Sequence, residues 1–215
     1  MKKQIIIIHG GETFGTYDEY IDALKSWDFE IDKEKETKKR WRYSLGEKLR
    51  SDFEVIMPIM PNRYNAKYKE WKIWFEKVIR FAEDNVVIIG ASLGGIFIAK
   101  YLSENNFPRK VLATYLLAAP YDGESRSRSL ADFVLPENLQ KFEMQGGGIF
   151  IYHSKDDPMV PFVACEKHAN ALPSAKSSCI RFSVSREASF AASSIRRRSA
   201  SPSRNVFSSA RWRQP

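Results

Sequence analysis

Histidine is scarce in this chain. His9, His153 and His168 are the only three in 215 residues, and none follows position 168. Cysteine is as rare. Cys165 and Cys179 are too few for a disulfide framework and agree with a reducing compartment. No apolar run approaches the roughly 18 residues of a membrane span. The apolar Ile5 to Ile8 after Met1-Lys-Lys is too short for a secretory signal, and His9-Gly10-Gly11 interrupts it. These absences predict a cytoplasmic protein with no membrane partner. Lysine is missing after Lys176.

The net charge of +8 is unevenly spread. Residues 1–176 carry 26 basic and 25 acidic side chains, whereas 177–215 carry eight arginines against Glu187, together with 12 serines. The body is near neutral and offers no nucleic-acid groove, so any such partner would act through the basic tail alone. The length suits one α/β domain with a sizeable core.

Ile5 to Ile8 reads as a strand buried on both faces of a parallel sheet. Tyr17, Tyr20, Ile21, Leu24 and Trp27 follow at helical spacing, then the charged stretch Asp32 to Arg40 and a second helical pattern through Trp41, Leu45 and Leu49. Phe53 to Met57, Lys110 to Ala119 and Ile149 to His153 are further strands. Tyr68 to Phe81 is an amphipathic helix whose stripe of Trp71, Trp74, Phe75, Val78 and Ile79 should face a core. A polar excursion, Asp122 to Gly148, and a helix over Phe162 to Leu172 complete a doubly wound α/β pattern, with a mainly parallel sheet and helices on both faces. Tyr17 to Trp27 and the excursion are candidate pocket walls.

The most informative segment is Asn85-Val-Val-Ile-Ile-Gly90-Ala91-Ser92-Leu93-Gly94-Gly95, followed by the apolar helical run Ile96 to Leu102. A strand that feeds a helix through Gly-x-Ser-x-Gly puts Ser92 on a strained elbow, with Gly90 and Gly94 allowing close approach. Ser92 is the candidate nucleophile, and the amides of Leu93 and Gly11 are candidate oxyanion-hole donors. His9 reads as a structural residue. Asp157, favoured over Asp156, lies after a downstream strand, where the acid of a Ser…Asp…His order belongs.

Together these segments resemble the retinoblastoma-binding-protein-9 and YdeN type of small serine hydrolase, in the α/β-hydrolase superfamily. The resemblance rests on His9-Gly-Gly11, the Trp71/Trp74 helix, Gly90-Ala-Ser-Leu-Gly-Gly95, Ala118-Ala-Pro120 and His153-Ser-Lys-Asp-Asp-Pro158-Met-Val-Pro-Phe162, and spans about residues 4–176. It implies an α/β-hydrolase domain with no metal or organic cofactor, acting on small ester or amide substrates, with Ser92 as nucleophile and Asp157 as triad acid.

The family's general base lies in a Gly-His-Phe-like segment some 25–30 residues beyond the acid, and that segment has no counterpart here. His168 is the one histidine left as a substitute base, though it is too close in sequence to return over the elbow. Residues 1–176 therefore read as a C-terminally incomplete hydrolase domain that lacks its last strand and helix. Residues 177–215 read as a disordered Arg/Ser-rich tail, the product of a shifted reading frame near Lys176. A non-catalytic ligand- or protein-binding protein on the same fold is the alternative.

Overall fold

The computed structural model describes residues 2–27, 41–123, 129–179 and 195–196. The Asp32–Arg40 stretch and most of the tail, where disorder was expected, lie outside the described residues.

Among the described residues, six strands form one sheet: β1 (Lys3–Ile8), β2 (Phe53–Ile56), β3 (Val86–Ala91), β4 (Val111–Leu117), β5 (Gly148–His153) and β6 (Lys176–Cys179). Every pairing is parallel and the spatial order is β2-β1-β3-β4-β5-β6. The central strands are apolar throughout because both faces are covered. All six residues of β3 are buried, as are five of six in β1.

The helices are α1 (Tyr17–Ser26), α2 (Trp41–Leu49), α3 (Tyr68–Val78), α4 (Leu93–Glu104), α5 (Gln140–Gln145) and α6 (Val163–Ala171). On one face α3, α4, α5 and α6 enclose the larger core, built around Trp71, Phe75, Phe97, Phe133 and Phe142. On the other, Leu45 and Leu49 of α2 pack with Ile5, Ile7, Val87, Ile89 and Tyr115.

Three expectations need correction. The sheet does carry a strand at the point where the sequence predicts the fold to break off, β6, whose four residues pair with β5 from Phe150↔Lys176 to His153↔Cys179. Backbone pairing tolerates the polar Lys-Ser-Ser sequence that hid it. The folded body also extends past residue 176. Ile195 is buried in the second core, and the Arg196 Nε atom lies 2.6 Å from a carboxylate oxygen of Asp52. Finally, Trp74 does not share the buried stripe of α3. Trp71 and Phe75 are fully enclosed, but Trp74 remains 43% exposed with Lys77 over its ring.

Candidate active site

Strand order fixes where a ligand can enter. From β1 the chain crosses to β2 on one side, then returns to β3 on the other, so the loops after β1 and β3 diverge and leave a crevice between them. The registers Ile8↔Gly90, Ala91↔Leu117 and Leu117↔Tyr152 align the strand ends along one rim. His9 to Gly11, Ser92, Ala118 to Pro120 and Ser154 to Asp157 all follow directly from that rim.

Ser92 is the hinge between β3 and α4. Its backbone sits at φ 50° and ψ −123°, a conformation that a non-glycine residue adopts only when its surroundings impose it. Those surroundings are visible. The Ser92 amide donates to the Leu117 carbonyl at 2.8 Å, and the Ser92 carbonyl accepts from the Gly95 amide at 2.8 Å. A side-chain carbon at Gly90 would lie 2.5 Å from the Gly94 carbonyl oxygen, and one at Gly94 would lie 2.5 Å from that of Ile8. The two glycines are thus what lets strand, turn and helix close on one another. Ser92 is half-buried, and its Oγ makes no hydrogen bond among the described residues.

The loop after β1 comes up against this turn. A carbon added at Gly10 would stand 3.1 Å from the Ser92 Cβ and 3.5 Å from its Oγ. One added at Gly11 would meet the Arg63 carbonyl oxygen at 2.7 Å and Leu93 at 3.4 Å. Leu93 opens α4, so its amide has no carbonyl one turn earlier to accept it. Gly11 and Leu93 are therefore neighbours beside Ser92.

Asp157 is half-buried just past β5, and its Oδ1 accepts from the amides of Met159 and Val160 at 2.9 Å each. That arrangement fixes the carboxylate and leaves Oδ2 without a hydrogen bond among the described residues. Asp156 is exposed and accepts the Ser154 hydroxyl.

The histidines are occupied elsewhere. The Met60 amide donates to His9 Nε2 at 2.9 Å, so Nδ1 carries the ring proton and donates to the Gly10 carbonyl at 2.5 Å. His153 is buried and donates from Nε2 to the Val160 carbonyl at 2.7 Å. His168, the candidate substitute base, has no exposed surface. Its Nε2 donates to the Pro120 carbonyl at 3.1 Å, its ring meets Tyr121 edge-on, and burial pushes its pKa down to about 4. An imidazole so enclosed is a packed residue of α6, without a path to a substrate at the rim.

Sequence reasoning missed the segment Pro61 to Lys67, which carries no motif. It is tied to the β1 loop by Glu12 N to Arg63 O and Ala66 N to Glu12 O, each 2.8 Å, and by the Lys67 ammonium to Phe14 O at 3.1 Å. Among the described residues, no group of three or more His, Cys, Asp or Glu side chains is placed to hold a metal ion.

The family model for serine hydrolases matches residues 34–179, a span that includes the elbow, Asp157 and β6. The chain belongs to the serine hydrolase family. This serine hydrolase shares its fold with the ydeN gene product of B. subtilis, at 19% identity and a TM-score of 0.64 over 84% of this chain and 86% of that one. It is also similar to the esterase domain of a Rhodothermus marinus protein, at 15% identity and 0.58 over 90% and 84% of the two chains. The thioesterase domain of the curacin biosynthetic pathway gives 10% and 0.60 over 91% of each. No curated protein matches the hydrolase in sequence. Its architecture is that of the α/β-hydrolase superfamily, and no helix among the described residues is long and apolar enough to cross a membrane.

Proposed function

We propose that the chain is built for acyl transfer from small ester or amide substrates to water, with Ser92 as nucleophile. One observation carries this reading: Ser92 is held at φ 50°, half-buried, at the crevice where the loops after β1 and β3 part. Attack forms a bond from Oγ to the substrate carbonyl carbon and gives the hydroxyl proton to a base. The amides of Leu93 and Gly11 take the oxyanion. Collapse breaks the bond to the leaving group, which takes up a proton, and water then releases the acyl group from Ser92 as an acid. No metal or organic cofactor enters this scheme.

Asp157 serves as the acid that would orient an imidazole. Strands β3 and β5 lie two inter-strand spacings apart, about 10 Å, a gap that an intervening histidine is needed to bridge. All three histidines are engaged or enclosed as described above, so the serine lacks its base. Loss of one triad member lowers turnover by about 10⁴–10⁶. The change in composition at Lys176 and the end of the family match at Cys179 support a reading-frame shift as its origin. The gene sequence around that codon tests this: no alternative frame encoding Gly-His downstream would refute it. The scarcity of cysteine supports a cytoplasmic location.

The test is labelling by a fluorophosphonate, with and without added imidazole. The expected result is a slow adduct at Ser92 only, absent in Ser92→Ala and accelerated by imidazole. Adducts elsewhere, or a rate indifferent to Ser92→Ala, would overturn the assignment. The same occupied histidines favour one second reading, a non-catalytic binder on this fold, in which ligand affinity survives Ser92→Ala and no adduct forms.

A further inference from the structure

We propose that Phe14, Tyr17, Tyr20, Trp27 and Tyr64 form a shelf that takes an aromatic group of the substrate beside Ser92. This rests on the acyl-transfer reading and names its substrate class. The rings form one connected set. Phe14 meets Tyr20 at 5.5 Å and Trp27 at 6.3 Å between centroids, Tyr17 meets Tyr20 at 6.1 Å, and Trp27 meets Tyr64 at 5.9 Å. The Arg63 guanidinium lies over Tyr64, 4.4 Å from its centroid.

Helical spacing of aromatics ordinarily marks a core face, but no residue of α1 is buried. Tyr17 is 69% exposed and Tyr64 50% exposed, while Phe14, against Tyr20 and Trp27, is buried. Aromatic surface left open to water, on segments that reach a reaction centre through the loop after β1, favours a flat, apolar ligand group.

The continuity is built by the backbone. Tyr64 follows Arg63, whose carbonyl receives the Glu12 amide and abuts Gly11, and Gly10 abuts Ser92. Phe14 and the Thr16 cap of α1, which accepts the Glu19 amide at 3.2 Å, extend the same loop. The loop after β1 thus carries Phe14 into the shelf and touches both the segment that bears Tyr64 and the elbow that bears Ser92. An aryl group on either the acyl or the leaving side meets the same rings.

Full-length protein, with imidazole present, is treated with a phenethyl or an ethyl fluorophosphonate. Each forms a bond from Ser92 Oγ to phosphorus, expels fluoride and passes the hydroxyl proton to imidazole. A third arm uses an ethyl phosphonate with 4-nitrophenoxide as leaving group, its rate referred to the reagent's own reaction with imidazole. A phenethyl advantage of about tenfold places the aryl group on the acyl side, and a comparable nitrophenoxide advantage places it on the leaving side. Either advantage should collapse towards one in Tyr17→Ala and Tyr64→Ala. It should persist in Leu24→Ala, a control on the same helix.

Labelling at Ser92 with no aryl preference in either arm would overturn the shelf and leave the hydrolase reading intact. If no reagent labels Ser92, the acyl-transfer reading fails, and titration with phenylacetamide followed by tryptophan fluorescence decides the shelf alone. Saturable quenching that is lost in Trp27→Phe and weakened in Tyr64→Ala supports it; absence of saturation overturns it.

Discussion

Gly10 lies against Ser92, so close that a methyl group there would stand 3.1 Å from the serine Cβ. The neighbouring Gly11 faces backbone instead, the Arg63 carbonyl oxygen at 2.7 Å. The two glycines should therefore fail differently. Gly10→Ala presses on the Ser92 Cβ, which moves only with the backbone of the elbow, so labelling at Ser92 should fall about tenfold to a hundredfold, while the looser 3.1 Å contact costs less stability than the one at Gly11. Gly11→Ala must move main chain and should cost about 1–3 kcal/mol. Parallel probe kinetics and urea unfolding separate the two.

The elbow stores strain. Ser92 at φ 50° and ψ −123° occupies a region that costs a residue with a side chain about 1–3 kcal/mol. Ser92→Ala keeps that cost, whereas Ser92→Gly removes it, against about 0.5–1 kcal/mol of extra unfolded-chain entropy. Ser92→Gly should exceed Ser92→Ala in unfolding free energy by about 1 kcal/mol. Equal stabilities in denaturant titration would mean that the turn is relaxed.

Two tryptophans three residues apart on α3 test the packing. Trp71 is fully enclosed, donates its indole N–H to the Pro61 carbonyl at 2.8 Å, and meets Phe97, Phe133 and His9 edge-on. Trp71→Ala should cost about 3–5 kcal/mol. Trp74→Ala, at an exposed position, should change stability by no more than about 0.5 kcal/mol.

The contrast shows what the sequence made legible. Strands buried on both faces leave unbroken apolar runs, and β1 and β3 can be read from Ile5 to Ile8 and Val86 to Ile89. The elbow was legible because strand, glycines and helix are consecutive. Burial around a helix was less so: Trp74 fits the period of α3 but lies beyond what α4 covers, and α1 has core-like spacing without being core. The partners that orient the rings of His9 and His168 were illegible because they lie far along the chain. His9 owes its tautomer to Met60, 51 residues away. Ile195 gave no signal because a single apolar residue among arginines and serines has no period.

His168 makes stability depend on pH in a definite direction. Burial pushes its pKa from 6.5 down to about 4, against the pull of the Pro120 carbonyl. Between those values the unfolded chain binds the proton and the folded chain does not. Stability from this group is therefore full above about pH 6.5 and is lost as pH falls towards 4. His168→Gln can keep a donor for Pro120 without titrating. Urea unfolding at pH 7.5 and pH 5 should show the parent losing about 2 kcal/mol more than the variant. Equal losses would mean that the ring is hydrated.

The buried position of Ile195 bears on the standing of the whole Arg/Ser-rich segment. It joins Leu45, Leu49 and Phe53 in the second core, while Arg196 pairs with Asp52 at 2.6 Å and donates to the Lys48 carbonyl. A segment with no part in the fold would give Ile195→Ala no effect. A segment that seals the α2 side of the sheet should make that substitution cost about 2 kcal/mol or more, the ordinary result of emptying a closed apolar site. Arg196→Ala removes a half-exposed pair and should cost under about 1 kcal/mol. If both variants unfold at the parent's denaturant midpoint, the body ends at β6, and the second core is held by α2 and the strands without the tail.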